Sequence, residues 1–436
     1  MKWCIVTLLI FMMKAFPAMA SMNTWGGNGN DILSAVSRAE NGDFILFAQT
    51  NSTTGTNALS SRLYGGKKDG WMLRVTNEGE VISEALLSGE GINNTTILGG
   101  MDTSDGTHII IIESSESEES PVAYTGYMVT HNAKTNGTRK EELLGLPHEV
   151  YVSEKGMLVV GAKEIDAYRS MVWCCMIARD GRICWEYCSP EEYGYEPNQM
   201  RVELGILRED HAILVMEQTK EDRVIQILRV LDENGRVLRD VCLQSQVYLY
   251  IRGGFPTQDG LMFYGYHVDE LFEPHGFFCH VDMDGNLQFS KSLAETSVVR
   301  TACPSQKGGY YFAENHSERI NLFHLDETGE IELLKSYDYD EPVECQSIFE
   351  EPDGEIVCMG TLRTDTSALK GVEDIFFLRY TDMYSIVSTE SGFDMVETDR
   401  GIRGYAYVPA LDDDYEIRIN GEIITLMKER YTLTGG

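Results

Sequence analysis

Asn41-Gly42-Asp43-Phe44-Ile45-Leu46-Phe47-Ala48, then Trp71-Met72-Leu73-Arg74-Val75-Thr76-Asn77-Glu78-Gly79-Glu80-Val81-Ile82-Ser83, is the stretch whose reading decides the fold. Each apolar run is strand-length, and each is bounded by a polar turn carrying glycine, which reaches positive φ without a steric penalty. The first kind of turn, leading into an apolar strand, recurs at Asp105-Gly106, Lys155-Gly156, Glu209-Asp210, Asp259-Gly260, Lys307-Gly308 and Asp353-Gly354. The second kind joins two strands at Gly137, Gly181, Gly235, Gly285 and Gly329, with Tyr384 in the glycine position of the last copy. The two alternate strictly through seven periods of about 50 residues, the size of one four-stranded propeller blade. No 3.6-residue helical periodicity runs through this span. The expected fold is all-β: a seven-bladed β-propeller of four-stranded antiparallel blades over residues 21–392. A short C-terminal β appendage or set of closing strands is expected over 393–436, where Asn420-Gly421 marks a hairpin. Met22 to Gly27 reads as the end of an outer strand that pairs with the last blade, since an unclosed ring exposes strand edges.

The chain has 436 residues, with 69 acids against 36 bases and a net charge of −33. Such a balance repels phosphate backbones, so nucleic acid is not an expected partner. Residues 1–20 place Lys2 before the apolar run Trp3 to Met13 and end in Ala18-Met19-Ala20, the layout of a secretory signal peptide. Cleavage after Ala20 and a secreted, extracellular protein are expected, without a membrane span after cleavage. The mature chain keeps nine cysteines in mostly apolar, strand-like runs and no CxxC pair, so neither a disulfide framework nor a zinc site is expected.

Gly26-Gly27-Asn28-Gly29-Asn30-Asp31, with Gly65-Gly66 before Gly70-Trp71-Met72 and the Thr76-Asn77-Glu78-Gly79 turn, resembles the repeat of secreted and surface-exposed bacterial propellers built from GGxGxD, DGG and NG motifs. The resemblance is plain in the first blade and fades along the chain, where GGxGxD is lost while both turns persist. It implies an extracellular propeller and offers no catalytic residues to carry over.

In a meander the short glycine turns share one end of the blades, and the longer loops crown the other. Those crowning loops pair rings with acids: Tyr193 and Tyr195 beside Glu191 and Glu192, Phe272 beside Glu270 and Glu273, Tyr337 and Tyr339 beside Asp338 and Asp340. Ser114 to Ser120 reads as a solvated acidic loop. Flat rings beside acceptors suit sugars or peptides.

Counting seven residues back from the first turn of each period lands near the upper end of each innermost strand, on Ser34, Leu98, His148, Glu203, Arg252, Arg300 and Gln346. Two arginines converging there would take an anionic group bidentately, for instance a uronate; an ion-pair belt from Glu203 to Arg252 is the competing structural reading.

His275 and His280, five residues apart on one strand, face opposite sides and cannot share a metal. Asp282, Asp284 and Asn286 are explained by the turn at Gly285. No cofactor, metal or catalytic group is expected. The leading expectation is a monomeric, non-catalytic propeller that binds an extracellular glycan, peptide or protein. The alternative is a carbohydrate-active hydrolase or lyase using channel-mouth carboxylates.

Overall fold

The computed structural model describes residues 22–39, 41–55, 68–87, 94–103, 106–117, 120–132, 135, 137–166, 169–190, 193–194, 200–209, 211–220, 223–243, 248–339, 342–352, 354–363 and 373–380, followed by five C-terminal strands. One compact unit holds Thr24–Ile348 and Met359–Phe376, and a second holds the remaining described residues. Residues 1–20, with the expected leader, lie outside the described residues.

Seven antiparallel sheets follow one another along the chain, six of four strands and one in which Tyr193–Gly194 adds a fifth. In chain order the blades cover residues 31–87, 94–142, 146–188, 200–242, 249–296, 298–338 and 343–380. The first strand of each is the innermost, and those of the first six blades pack each against the next. The protein is a seven-bladed β-propeller, as its turn pattern implies.

Middle strands are buried on both faces and read as unbroken apolar runs. Phe44 to Ala48, Met157 to Val160 and Ile213 to Met216 are all buried, and clusters such as Ile206, Ile213, Phe263 and Phe277 join adjacent blades. This inter-blade burial, roughly 25 cal/mol per Å² of apolar surface, is the main favourable term holding the ring.

Ring closure is polar and specific. The Leu33 amide of blade 1 donates to Thr361 Oγ1 of blade 7 at 3.1 Å, and that hydroxyl donates to Gln346 Oε1 at 3.1 Å. Asn315 of blade 6 acts as a one-residue strand against blade 7, its Nδ2 donating to Cys345 O at 2.9 Å and its Oδ1 accepting from Cys345 N at 2.8 Å. The Gly26-to-Asp31 motif is a structural clasp: buried Asp31 accepts from Gly27 N at 2.7 Å, Thr50 Oγ1 at 2.5 Å and Ser52 Oγ at 2.8 Å.

Several expectations are corrected. The outer strand of the seventh sheet is Met22–Trp25, as the closing-strand reading implies, whereas Ser385–Ser388, expected as that blade's fourth strand, pairs with Asp394–Glu397, which in turn pairs with Arg403–Ala406 in a separate sheet. The two segments offer the same local strand signal, and closure is decided by distant pairing. Tyr415–Ile419 and Glu422–Leu426 form the expected last hairpin. The acidic loop at Ser114 to Ser120 is largely hairpin, since strand pairing continues to Ser117↔Ser120. Among the described residues, no disulfide joins the nine cysteines.

Candidate functional site

In six innermost strands the pairing register slips by one residue, between Leu33 and Ala35, Ile97 and Gly99, Pro147 and Glu149, Val202 and Leu204, Ile251 and Gly253, and Val299 and Thr301. The residues left over are Ser34, Leu98, His148, Glu203, Arg252 and Arg300, the positions reached by counting back seven from each turn. A β-bulge leaves its extra residue unpaired and re-aims it, which is why bulges recur beside binding sites.

Three of these bulge residues meet. His148, Glu203 and Arg252 line a cavity of about 730 Å³, spanning blades 2 to 5, with Tyr124, Arg201, Tyr250 and Tyr266. The volume lies within the range of small-molecule sites. The rings of Tyr250 and Tyr266 stack 4.7 Å apart at 4°, and Tyr248 meets Tyr250 edge-on at 4.6 Å. The exposed Arg252 guanidinium lies 5.3 Å from the Tyr266 centroid, and its Nη2 donates to the Tyr266 hydroxyl at 3.4 Å. Tyr124, paired with Ser114 in the blade 2 hairpin, also lines the cavity.

Arg201 Nε donates to Glu203 Oε1 at 2.6 Å and to Glu217 Oε2 at 2.5 Å. Desolvation, then the adjacent Glu217 carboxylate, push the Glu203 pKa up. Burial, then the charge of Arg201, push the His148 pKa down, so this imidazole stays neutral at physiological pH. Glu149, next to the bulge, has an exposed surface, and desolvation of its carboxyl raises it to about 7 against a hydrogen bond from the Val150 amide and, less, the positive charge of Arg252.

The other expected residues lie elsewhere. Arg300 does not converge with Arg252: its Nε pairs with Glu344 in a separate cavity of about 330 Å³. Gln346 serves ring closure through Thr361. Tyr337 is half-buried near Lys335, and Tyr339 N donates to Glu318 O at 2.8 Å; neither lines the large cavity. The Tyr193 side chain and the whole of Tyr195 lie outside the described residues.

Sequence reading missed Arg201, Tyr250 and Tyr266. Arg201 and Tyr250 stand two residues before Glu203 and Arg252, and period-2 alternation along the strand was the signal that could have found them. Tyr266 comes from the neighbouring strand, where it pairs with Tyr250.

No protein-family model and no curated protein matches the chain. Among solved structures, the chain is similar to the β-propeller domain of the Trilobed protease from Pyrococcus furiosus, with 13% identity over 80% of this chain and 93% of that one at a TM-score of 0.49. It is also similar to the Neurospora crassa Pan2 WD40 domain, with 9% identity, coverage of 80% and 89%, and a TM-score of 0.44. A Lactobacillus plantarum protein is similar at 11% identity, with coverage of 83% and 100% and a TM-score of 0.43. Similarity at this level carries no functional argument. The class of protein is defined by the sheets themselves.

Proposed function

We propose that this propeller is a non-catalytic, secreted ligand-binding protein of the bacterial GGxGxD type, and that its ligand seats in the cavity at Arg252. The observation that carries the reading is the meeting of three bulge side chains with a stacked tyrosine pair in one concave site. An exposed guanidinium beside the Tyr250 and Tyr266 rings suits a carboxylate next to a flat or sugar-like face, and Glu203 and His148 supply hydrogen-bond partners for hydroxyl or amide groups. Secretion rests on the leader-like first twenty residues. Among the described residues, no helix is long and apolar enough to cross a membrane.

The hydrolase alternative draws less support. Glycosidases hold two carboxyl groups on opposite sides of the scissile bond. Glu203 and Glu217 instead accept from one and the same Arg201 nitrogen, and Glu217 does not line the cavity. A glycan and peptide array probed with the mature protein tests the proposal. Saturable binding of a carboxylated ligand is expected, and the absence of any bound glycan or peptide would contradict it.

A further inference from the structure

The hairpin between Gly260–Val268 and Pro274–Asp282 in blade 5 carries a cluster unrelated to the large cavity. Asp269, Glu273 and His275 each offer one ligand atom, and these atoms all lie within 4.8 Å of one another. We propose that these three residues form a site for one divalent transition-metal ion, with Zn²⁺ the ion best suited to the donors.

Each donor is held by a separate interaction. Asp269 Oδ1 accepts from Leu271 N at 2.8 Å and Glu273 N at 2.9 Å, so the turn fixes this carboxylate. Asp269 Oδ2 lies 3.3 Å from His275 Nε2. Glu273 Oε2 accepts from Thr296 Oγ1 at 3.3 Å. The His275 ring stacks on His267 with centroids 5.7 Å apart, which sets its plane, and His267 is itself anchored to Ser292 Oγ at 3.1 Å.

Donors bound tetrahedrally at about 2.0–2.1 Å stand about 3.4 Å apart. The Asp269 to His275 separation already meets that spacing, and the Glu273 carboxylate stands within 4.8 Å of both. One imidazole and two carboxylates, with a fourth position open, suit zinc better than calcium, which takes six to eight oxygens. Two carboxylates beside an imidazole, in a chain of net charge −33, favour a cation there. The sequence separated His275 from His280, and the structure keeps them apart, since His280 Nε2 turns to Thr257 Oγ1 at 2.9 Å. Carboxylates, rather than a second histidine, complete the site.

The same turn holds Phe272 at φ 64°, a backbone region that favours glycine, with Leu271 and Phe272 76% and 87% exposed. A bound ion would brace this apolar tip by tying both ends of the turn together.

The test is titration of chelator-treated mature protein with ZnCl₂ by calorimetry, paired with thermal unfolding. The expected result is one saturable site and a raised melting temperature in zinc. His275→Gln and Glu273→Gln should each weaken binding at least tenfold while melting like wild type without metal, and His280→Gln should bind normally. Absence of 1:1 binding, or wild-type affinity in both the His275→Gln and Glu273→Gln variants, would overturn the proposal.

Discussion

The Arg252 guanidinium stands 5.3 Å from the centroid of Tyr266 and reaches that residue's hydroxyl through Nη2 at 3.4 Å. One residue thus sets the direction of the cavity's exposed cation. Arg252→Lys keeps the charge but loses the planar fork and the stacking face. We expect affinity for a carboxylated ligand to fall about tenfold, with unfolding free energy unchanged within about 0.5 kcal/mol, as for an exposed position. Calorimetric titration and urea unfolding of the same variant separate the two effects.

Arg300 gives the opposite expectation. Its pair with Glu344 is 45% and 34% exposed, and such pairs contribute about 0–1 kcal/mol. Arg300→Ala should therefore change stability little and leave binding at the Arg252 cavity intact. A loss of that binding would show that the two sites communicate.

One hydroxyl links the first blade to the seventh. Thr361→Val keeps the shape of the side chain but leaves the Leu33 amide and Gln346 without their partner. A stranded buried donor costs about 1–3 kcal/mol. Urea unfolding should show a loss of that size, and an unchanged midpoint would mean that closure is carried by other contacts.

The seven-blade count, the meander and the equivalent channel-mouth positions were legible because each is local, whereas the bulges at six of those positions were not foreseen. A glycine turn fixes strand register, and a fixed count from the turn reaches the same place in every blade. Which neighbour each bulge residue touches did not follow from the count alone. Glu203 pairs with Arg201 from its own strand, a closer partner than the expected Arg252. The outer strand of the seventh blade, Met22–Trp25, followed from the need to close the ring, but nothing local in Ser385–Ser388 marks that strand as lying outside the blade. Phe272 shows the same limit in a turn, occupying a left-handed position that glycine holds at Gly235 and Gly285.

Glu149 makes stability depend on pH. Its carboxyl titrates near 4.5 when unfolded and about 7 when folded. The folded state therefore holds its proton longer, so this contribution is full below pH 4.5, declines as pH rises towards 7, and is lost above that. Glu149→Gln removes the dependence. The variant should gain on wild type between pH 4.5 and pH 7 in urea midpoints measured along the series, whereas parallel curves would refute the assignment.

Glycine turns differ in how much a side chain would cost. A Cβ at Gly285 would stand 2.5 Å from Cys242 O, whereas one at Gly42 meets nothing within 4 Å. Both have positive φ, 82° and 90°, so backbone strain is shared. Gly285→Ala should lower the melting temperature clearly more than Gly42→Ala. Equal losses would mean that backbone strain alone sets the cost.

The most direct measurement of the central claim is the affinity of an array-identified ligand for wild type, Arg252→Ala, Tyr250→Ala and Arg300→Ala, all confirmed to melt alike. A loss of at least tenfold is expected for the first two variants, with wild-type affinity for Arg300→Ala. Equal affinity across all four proteins, or a loss confined to Arg300→Ala, would contradict the assignment of the ligand site to the Arg252 cavity.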